Sequence, residues 1–434
     1  MTRGGEAILK NLGFVRQAVP LWLKTIVVDR FLRVGTLLFL ATLISNFLNF
    51  LFQVTMGRIL TPANYGTMNA LLSTFMIAVI PYSTISMVLT RRVSLHRVHD
   101  QLASVRRLFY WTYKRIAMVG LPALAAFLLL SPAIRQFLQI DTGSPVILLG
   151  IVILLAVSLP INLAFLGGLQ RFVAIAIASG ALGPLKYTLS VALVVLGLGI
   201  DGVLIGHVLC YLSLFVISYW PLRRLLRPAI GVAEKPRRLF VTAYPELLAN
   251  LAFAFMTQFD LVLVKHLFSS DVAGTYAVAA VFGRAVMYLP GGLIMALFPM
   301  VAENCALNKN QTGILWKALA YTLTLSGCGT LLYWLFPEAI LTVLFGGKYL
   351  EAAPLLAYYA ITMLPVALLL ITMNFHIARG HRGVWIFIVL GVTLEFLFIL
   401  VWHQDLTQIL GALFAGGVTS LILSLLPVIR APRS

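Results

Sequence analysis

The sequence predicts an all-α integral membrane protein of about twelve transmembrane helices arranged as two six-helix lobes. Three observations lead there. Hydrophobic residues make up 61% of the 434-residue chain and charged residues only 11%. Apolar segments of about 20 residues, long enough to cross a hydrocarbon core, recur from end to end with short connections. Those connections alternate between basic and nearly uncharged, the pattern produced when Lys and Arg crowd the cytoplasmic side of a multi-pass protein.

The segments fall near residues 34–57, 66–90, 108–130, 146–169, 172–197, 202–221, 240–265, 273–300, 316–336, 354–377, 384–402 and 407–428. Ahead of the first, residues 1–33 are too interrupted by charge for a signal peptide. Ile8, Leu12, Val15 and Val19 at helical spacing before Pro20 suit either a helix lying on the inner membrane surface or a frayed cytoplasmic tail. Segment 1 carries Asn46, Asn49 and Gln53 at i, i+3, i+7, hence on one face, where they line a cavity or bond a neighbouring helix. Segment 2 contains Pro81 and empties into Arg91, Arg92 and Arg97, and segment 3, with Pro122, enters through Arg106, Arg107, Lys114 and Arg115. Segment 4 holds Pro160 and Asn162 and ends at Arg171, and segment 5 holds Pro184 and Lys186. Segment 6 exits into Arg223, Arg224, Arg227, Lys235, Arg237 and Arg238, and residues 222–239, broken by Pro228, Gly231 and Pro236, form a linker. Segments 34–221 then make an N-lobe and 240–429 a C-lobe, in which Glu246 and Asp260 lie on segment 7, Arg284 and Pro290 on segment 8, Pro365 on segment 10 and Glu395 on segment 11. Residues 430–434 are a cytoplasmic tail. Each proline within a segment removes a backbone hydrogen bond, giving a hinge or a static kink.

Twelve crossings put both termini on one side. That side collects 26 Lys and Arg against 4 on the other, Arg58, Arg135, Lys265 and Lys348, so both termini are expected to be cytoplasmic. The same asymmetry accounts for the formal charge of +18, and nucleic-acid binding is excluded as a reading of it. A basic inner face remains available to anionic membrane lipids. Cys210, Cys305 and Cys328 show no metal or disulfide spacing and read as small apolar packers.

The second half repeats the first at an offset of about 208 residues: Gly66 matches Gly274, Pro81 matches Pro290, Asn162 matches Asn374 and Asp201 matches Asp405. Six segments preserve orientation, so this is a parallel repeat about an axis along the membrane normal. Two lobes around a central cavity suit alternating access.

On these residues the chain resembles the multidrug/oligosaccharidyl-lipid/polysaccharide (MOP) exporter superfamily, in its polysaccharide transporter branch of lipid-linked oligosaccharide flippases. The resemblance runs through Gly57-Arg-Ile-Leu-Thr-Pro-Ala-Asn-Tyr-Gly66, Gly167-Gly-Leu-Gln-Arg-Phe172, Gln258-Phe-Asp260, Gly274-Thr-Tyr276 and Phe298-Pro299, and spans nearly the whole chain. It implies a V-shaped bundle that moves a polyprenyl-diphosphate-type glycan across the cytoplasmic membrane of a bacterium or archaeon. Polysaccharide polymerase and other assembly proteins are implied partners. Peptidoglycan-precursor flippases of the superfamily usually carry two more spans.

An ionisable residue inside a span is costly and therefore a functional candidate. Arg284 lies about a dozen residues into segment 8, roughly 18 Å deep at the helical rise. A planar guanidinium suits a diphosphate, so Arg284 with Lys186 is one reading, and the resemblance leans the same way because related flippases use cavity arginines. The other reading is an Arg284–Asp260 ion pair tying segments 7 and 8 together. Asp260 is an ion-coupling carboxylate or the partner of Lys265, pairing with Lys265 being the stronger reading. Glu246 faces the inner mouth or, the safer assignment, caps the start of segment 7. Glu395 carries a coupled proton or is simply a neutral buried acid.

Gly197-Leu-Gly199-Ile-Asp-Gly202 fits a dinucleotide fingerprint but lies at an outer turn with no strand before it, so it reads as a turn. Asn310-Gln-Thr312 is a sequon in a cytoplasmic loop. No Walker A run, HExxH or triad is present, so no catalysis, cofactor or metal is expected. The function the sequence favours is a flippase for a lipid-linked polysaccharide repeat unit. The alternatives are a cation-coupled multidrug exporter of the same superfamily and, from another class, a membrane glycosyltransferase or polymerase.

Overall fold

A computed structural model describes residues 30–223, 239–307, 311–381 and 383–430, and they are helical almost throughout. Residues 1–29 of the N-terminal segment, where the surface helix is expected, most of the linker and residues 431–434 of the tail lie outside the described residues. The helices are α1 (Arg30–Ile59), α2 (Pro62–Val98), α3 (Leu102–Leu129), α4 (Ser131–Phe137), α5 (Ser144–Ala156), α6 (Ser158–Gly168), α7 (Phe172–Leu193) and α8 (Gly199–Arg223). After the linker come α9 (Leu239–Leu267), α10 (Ser270–Gly283), α11 (Ala285–Tyr288), α12 (Gly291–Ala306), α13 (Thr312–Leu335), α14 (Pro337–Phe345), α15 (Ala353–Ala378), α16 (Val384–Val401) and α17 (Leu406–Arg430). No strand occurs among the described residues, as expected where hydrocarbon leaves every backbone group to be satisfied within its own segment.

Among the described residues, ten helical stretches are long and apolar enough to cross a membrane, and eleven if the pair Ser270–Tyr288 and Gly291–Cys305, bent by 41°, is one span. The bend falls where Pro290 ends the intact ladder. Pro81 and Pro365, by contrast, sit inside helices that continue past them. One of the ten stretches, Phe172–Arg223, is a hairpin rather than a rod: Gly197 at φ 91° and Gly199 at φ 52° reverse the chain. The Ser190 hydroxyl then donates to Val203 O at 3.2 Å and the Cys210 thiol lies 3.7 Å from Leu182 O. The glycine-rich stretch is thus a turn.

Other turns stop helices by the same chemistry. Arg171 N–H donates to Leu166 O at 2.8 Å around left-handed Gln170, and His381 N–H donates to His376 O at 2.9 Å around left-handed Gly380.

Residues 30–223 pack among themselves, α1 along α7, α7 along α8 and α2 along α6. Residues 239–430 do likewise, with α17 between α15 and α16 and α13 on α15. The two sets meet chiefly where α2 lies against α9 and α10. Near the starts of α2 and α10 they share one core, containing Phe52, Tyr65, Met68, Tyr276, Phe345 and Tyr359. Toward the far end of α2 and along α12 the cores are separate: Leu89, Val93, Phe109 and Phe165 in the first set, Leu297, Val301, Leu315 and Phe375 in the second. Arg91, Arg92, Arg97 and Arg106 belong to the separated end.

The shared end depends on a backbone crossing at Gly66 and Gly274. A Cβ on Gly66 would sit 2.7 Å from Gly274 N, and one on Gly274 would collide with the Pro62 carbonyl. Overpacking of this kind costs about 1–3 kcal/mol, and more when the obstacle is backbone. Gly274→Val is therefore expected to lower the thermal unfolding temperature in detergent by several degrees. Gly327→Ala, at a position with nothing within 4 Å of the added Cβ, should leave it unchanged or slightly raised.

Candidate substrate and coupling site

α9 carries Gln258 and Asp260 two residues apart near the seam. Arg284 occupies the junction between α10 and α11, its N–H still donating to Ala280 O at 3.1 Å, so its side chain leaves the helix just before the bend. Tyr359 comes from α15, and Gly283 admits it: a Cβ there would lie 2.6 Å from Tyr359 Cδ1. Tyr276 comes from α10.

These five side chains form one closed network. Asp260 Oδ1 accepts from Arg284 Nη2 at 2.7 Å, while Oδ2 accepts from the hydroxyls of Tyr276 at 2.9 Å and Tyr359 at 2.7 Å. Arg284 also donates through Nε to Tyr359 Oη at 2.9 Å and through Nη1 to Gln258 Oε1 at 2.9 Å. Asp260 is fully buried and Arg284 6% exposed. Charges so placed persist only when paired and hydrogen-bonded, which this geometry achieves. The network also touches the other half of the molecule, because the Ser73 hydroxyl on α2 donates to the same Gln258 Oε1 at 3.2 Å.

Arg284 and Asp260 are therefore an ion pair. Asp260 is not the partner of Lys265, whose ammonium binds the Ser270 hydroxyl at 2.5 Å. Five residues along a helix turn the side chain by roughly 140°, which points Lys265 away from Asp260 toward the start of α10. Glu246 is not a helix cap either: α9 begins at Leu239, so Glu246 stands a further two turns in, half-buried, with Pro245 inside the helix.

The remaining candidates are scattered. Lys186 of α7 lies 4.5 Å from the Phe52 ring centroid, and among the described residues no carboxylate pairs with it. It shares no described hydrogen-bond partner with Arg284. On α1, Gln53 Oε1 accepts from the Tyr65 hydroxyl at 3.2 Å, which makes it an interhelical contact. Asn46 is exposed and Asn49 half-buried. Glu395 of α16 is fully buried and neither carboxyl oxygen has a hydrogen-bond partner. Its surroundings are the backbone of Gly416, where a Cβ would sit 2.9 Å from its own, and the α17 stretch that also carries the unpartnered Ser420 hydroxyl. No group of three or more His, Cys, Asp or Glu able to hold a metal occurs among the described residues.

Ser73, Gln258, Tyr276 and Tyr359 are absent from the set the sequence nominated. Gln258 and Tyr276 stand in stretches that carried the resemblance, so a signal existed for them. Tyr359 had none, since nothing local announces that α15 packs beside α10.

Solved structures resemble this fold closely. The chain superposes on an inward-facing multidrug resistance MATE family transporter of the MOP superfamily with a TM-score of 0.74 at 10% identity, covering 88% of this chain and 92% of that one. An outward-facing MATE family transporter of the same superfamily gives 0.62 at 13% identity, over 90% and 93% of the two chains. The lipid II flippase MurJ, in an inward closed conformation, gives 0.70 at 13% identity, over 91% and 87%. No curated protein sequence matches. The polysaccharide biosynthesis protein family matches residues 31–305, well over half of the 434, and the protein belongs to that family, within the MOP superfamily of transporters and flippases.

Proposed function

We propose that this protein is a flippase that moves a lipid-diphosphate-linked oligosaccharide or polysaccharide repeat unit across the cytoplasmic membrane by alternating access. Residues 34–221 and 240–429 act as lobes that rock about the α2 seam, with both termini cytoplasmic. Membership of the polysaccharide biosynthesis family supports the substrate class. The observation that carries the mechanism is the Asp260–Arg284 network, buried and bonded across the seam to Ser73. A guanidinium held by a carboxylate becomes available to phosphate oxygens when that carboxylate is claimed by the coupling cation, so one exchange links coupling ion to substrate. Lys186, lacking a carboxylate partner, gives the diphosphate a second cation, and Asn46, Asn49 and Gln53 offer donors and acceptors to sugar hydroxyls. Glu395 is the proton carrier, its fully buried carboxyl oxygens having no hydrogen-bond partner among the described residues. Glu246 lies on the inward portion of α9, where it meets the entering cation. Membrane lipids surround the bundle, and a polysaccharide polymerase and other assembly proteins receive the product.

A cation-coupled drug exporter is the second reading, favoured by the MATE superposition; that likeness bears on fold alone. Translocation of a defined lipid-linked oligosaccharide in proteoliposomes decides between them. Arg284→Ala is expected to cut transport at least about tenfold, equivalent to 1.4 kcal/mol, and Arg284→Lys to retain part of it. Removing one partner of a buried pair also destabilises by about 3–5 kcal/mol, so the paired change Arg284→Gln with Asp260→Asn serves as control. It should recover thermal stability without recovering transport. Full transport by Arg284→Ala and Arg284→Lys alike would end the substrate-binding assignment. Lys186→Ala should weaken the apparent affinity for the lipid-linked glycan more than it lowers the maximal rate.

A further inference from the structure

We infer that the two halves are locked together by a pair of repeat-related latches in which polar side chains cap helix ends across the seam. The last carbonyls of any helix lack intrahelical donors and carry the negative end of its dipole. At the end of α1 these carbonyls are supplied by the other half: Lys348 Nζ donates to Gly57 O at 3.0 Å, to Arg58 O at 3.3 Å and to Leu60 O. The gift is returned at the end of α14, where Arg58 Nε donates to Leu344 O at 2.6 Å and Nη2 to Val343 O at 2.8 Å. Gly346 at φ 65° and Gly347 at φ 83° turn the chain so that Lys348 faces back toward α1. Gly57 lets the Phe345 ring close over the junction: a Cβ there would lie 2.9 Å from Phe345 Cδ1.

The same construction recurs between α4 and α9. Gln139 Nε2 donates to His266 O at 2.8 Å, at the end of α9, and the His266 ring, with Nδ1 carrying the proton, donates to Phe137 O at 2.7 Å, at the end of α4. The His266 and Phe137 rings stack with centroids 3.9 Å apart. Residues 58 and 266 are 208 apart and residues 139 and 348 are 209 apart, the offset of the internal repeat. Gln139 holds a left-handed φ of 49°, which a non-glycine residue adopts at a cost, and its side chain makes the cross-seam bond.

In all four directions the acceptor is a backbone carbonyl. Such an acceptor cannot be titrated away, and when the halves part it is readily hydrated at a helix end. Together with Ser73–Gln258, these two latches supply hydrogen bonds that join the described residues of 30–223 to those of 239–430. They assign a task to the Gly57-Arg58 stretch and to two of the four cations of the sparsely charged side, Arg58 and Lys348.

The inference rests on the rocking motion of the proposed function but not on its substrate. Ser73→Cys is an isosteric reporter buried in the seam, and its alkylation by a bulky maleimide, read by mass spectrometry at residue 73, measures seam opening in detergent-solubilised full-length protein. Arg58→Ala with Lys348→Ala should raise the rate about tenfold, and so should Gln139→Ala with His266→Ala. All four together should raise it further, while Arg58→Lys and Lys348→Arg stay near the parent. An unchanged rate in the quadruple variant, with elution and melting still those of a folded protein, overturns the latches. Gly274→Val separates the two failures: if this wedge exposes residue 73 and latch removal does not, rocking stands and the latches fall. If neither exposes it, the rocking motion fails and the latches with it.

Discussion

The Asp260 carboxylate accepts three hydrogen bonds at a depth where water cannot replace them, and the second half of the molecule is arranged to supply the donors. Arg284 must stand at a helix junction, Tyr276 on the facing turn of α10, and Tyr359 on a third helix brought close by the absence of a side chain at Gly283. Moving any one of them leaves a charge or a hydroxyl unsatisfied in a low-dielectric interior, a penalty larger than the net gain of an ordinary hydrogen bond. Arg284 keeps helical backbone angles and its N–H bond to Ala280 O, so the guanidinium is placed by the helix itself, with the 41° bend following beyond Tyr288.

The repeat makes the asymmetry between the halves informative. At the offset of 208 residues Asp260 corresponds to Phe52 and Arg284 to Met76, so the first half has apolar side chains where the second has its charge pair. Lys186 and Glu395, 209 apart, are the two ionisable residues on corresponding helices, one basic and one acidic, neither with an opposite charge beside it. Packing glycines and helix-end contacts repeat, and the chemistry does not.

Much of this was legible in the sequence. Apolar runs and their basic connections mark the helices because a bilayer imposes length and charge rules that no soluble fold imposes. Arg284, Asp260 and Glu395 announce themselves as charges inside such runs. Which charge meets which was only half legible: Lys265 looked nearer to Asp260 along the chain, yet helical rotation separates them and brings up Arg284 from the next helix. Glu246 looked like a helix start because Pro245 precedes it, whereas α9 begins earlier and absorbs the proline. Arg58 and Lys348 read as stray charges on the sparsely charged side. Their partners are backbone carbonyls, and a carbonyl leaves no mark in a sequence.

The separate cores at the basic end bear on how the chain is made. Leu89, Val93, Phe109 and Phe165 find their neighbours entirely within the first half, so that half can consolidate before the second is synthesised. Its seam cannot: Gly66, Ser73 and the end of α1 all wait for residues more than 180 positions downstream. During that interval α2 presents the bare backbone at Gly66 and the unmatched Ser73 hydroxyl to the lipid or to the insertion machinery. Quality control acting on unassembled membrane segments would meet this face, and arrival of α9 and α10 would hide it.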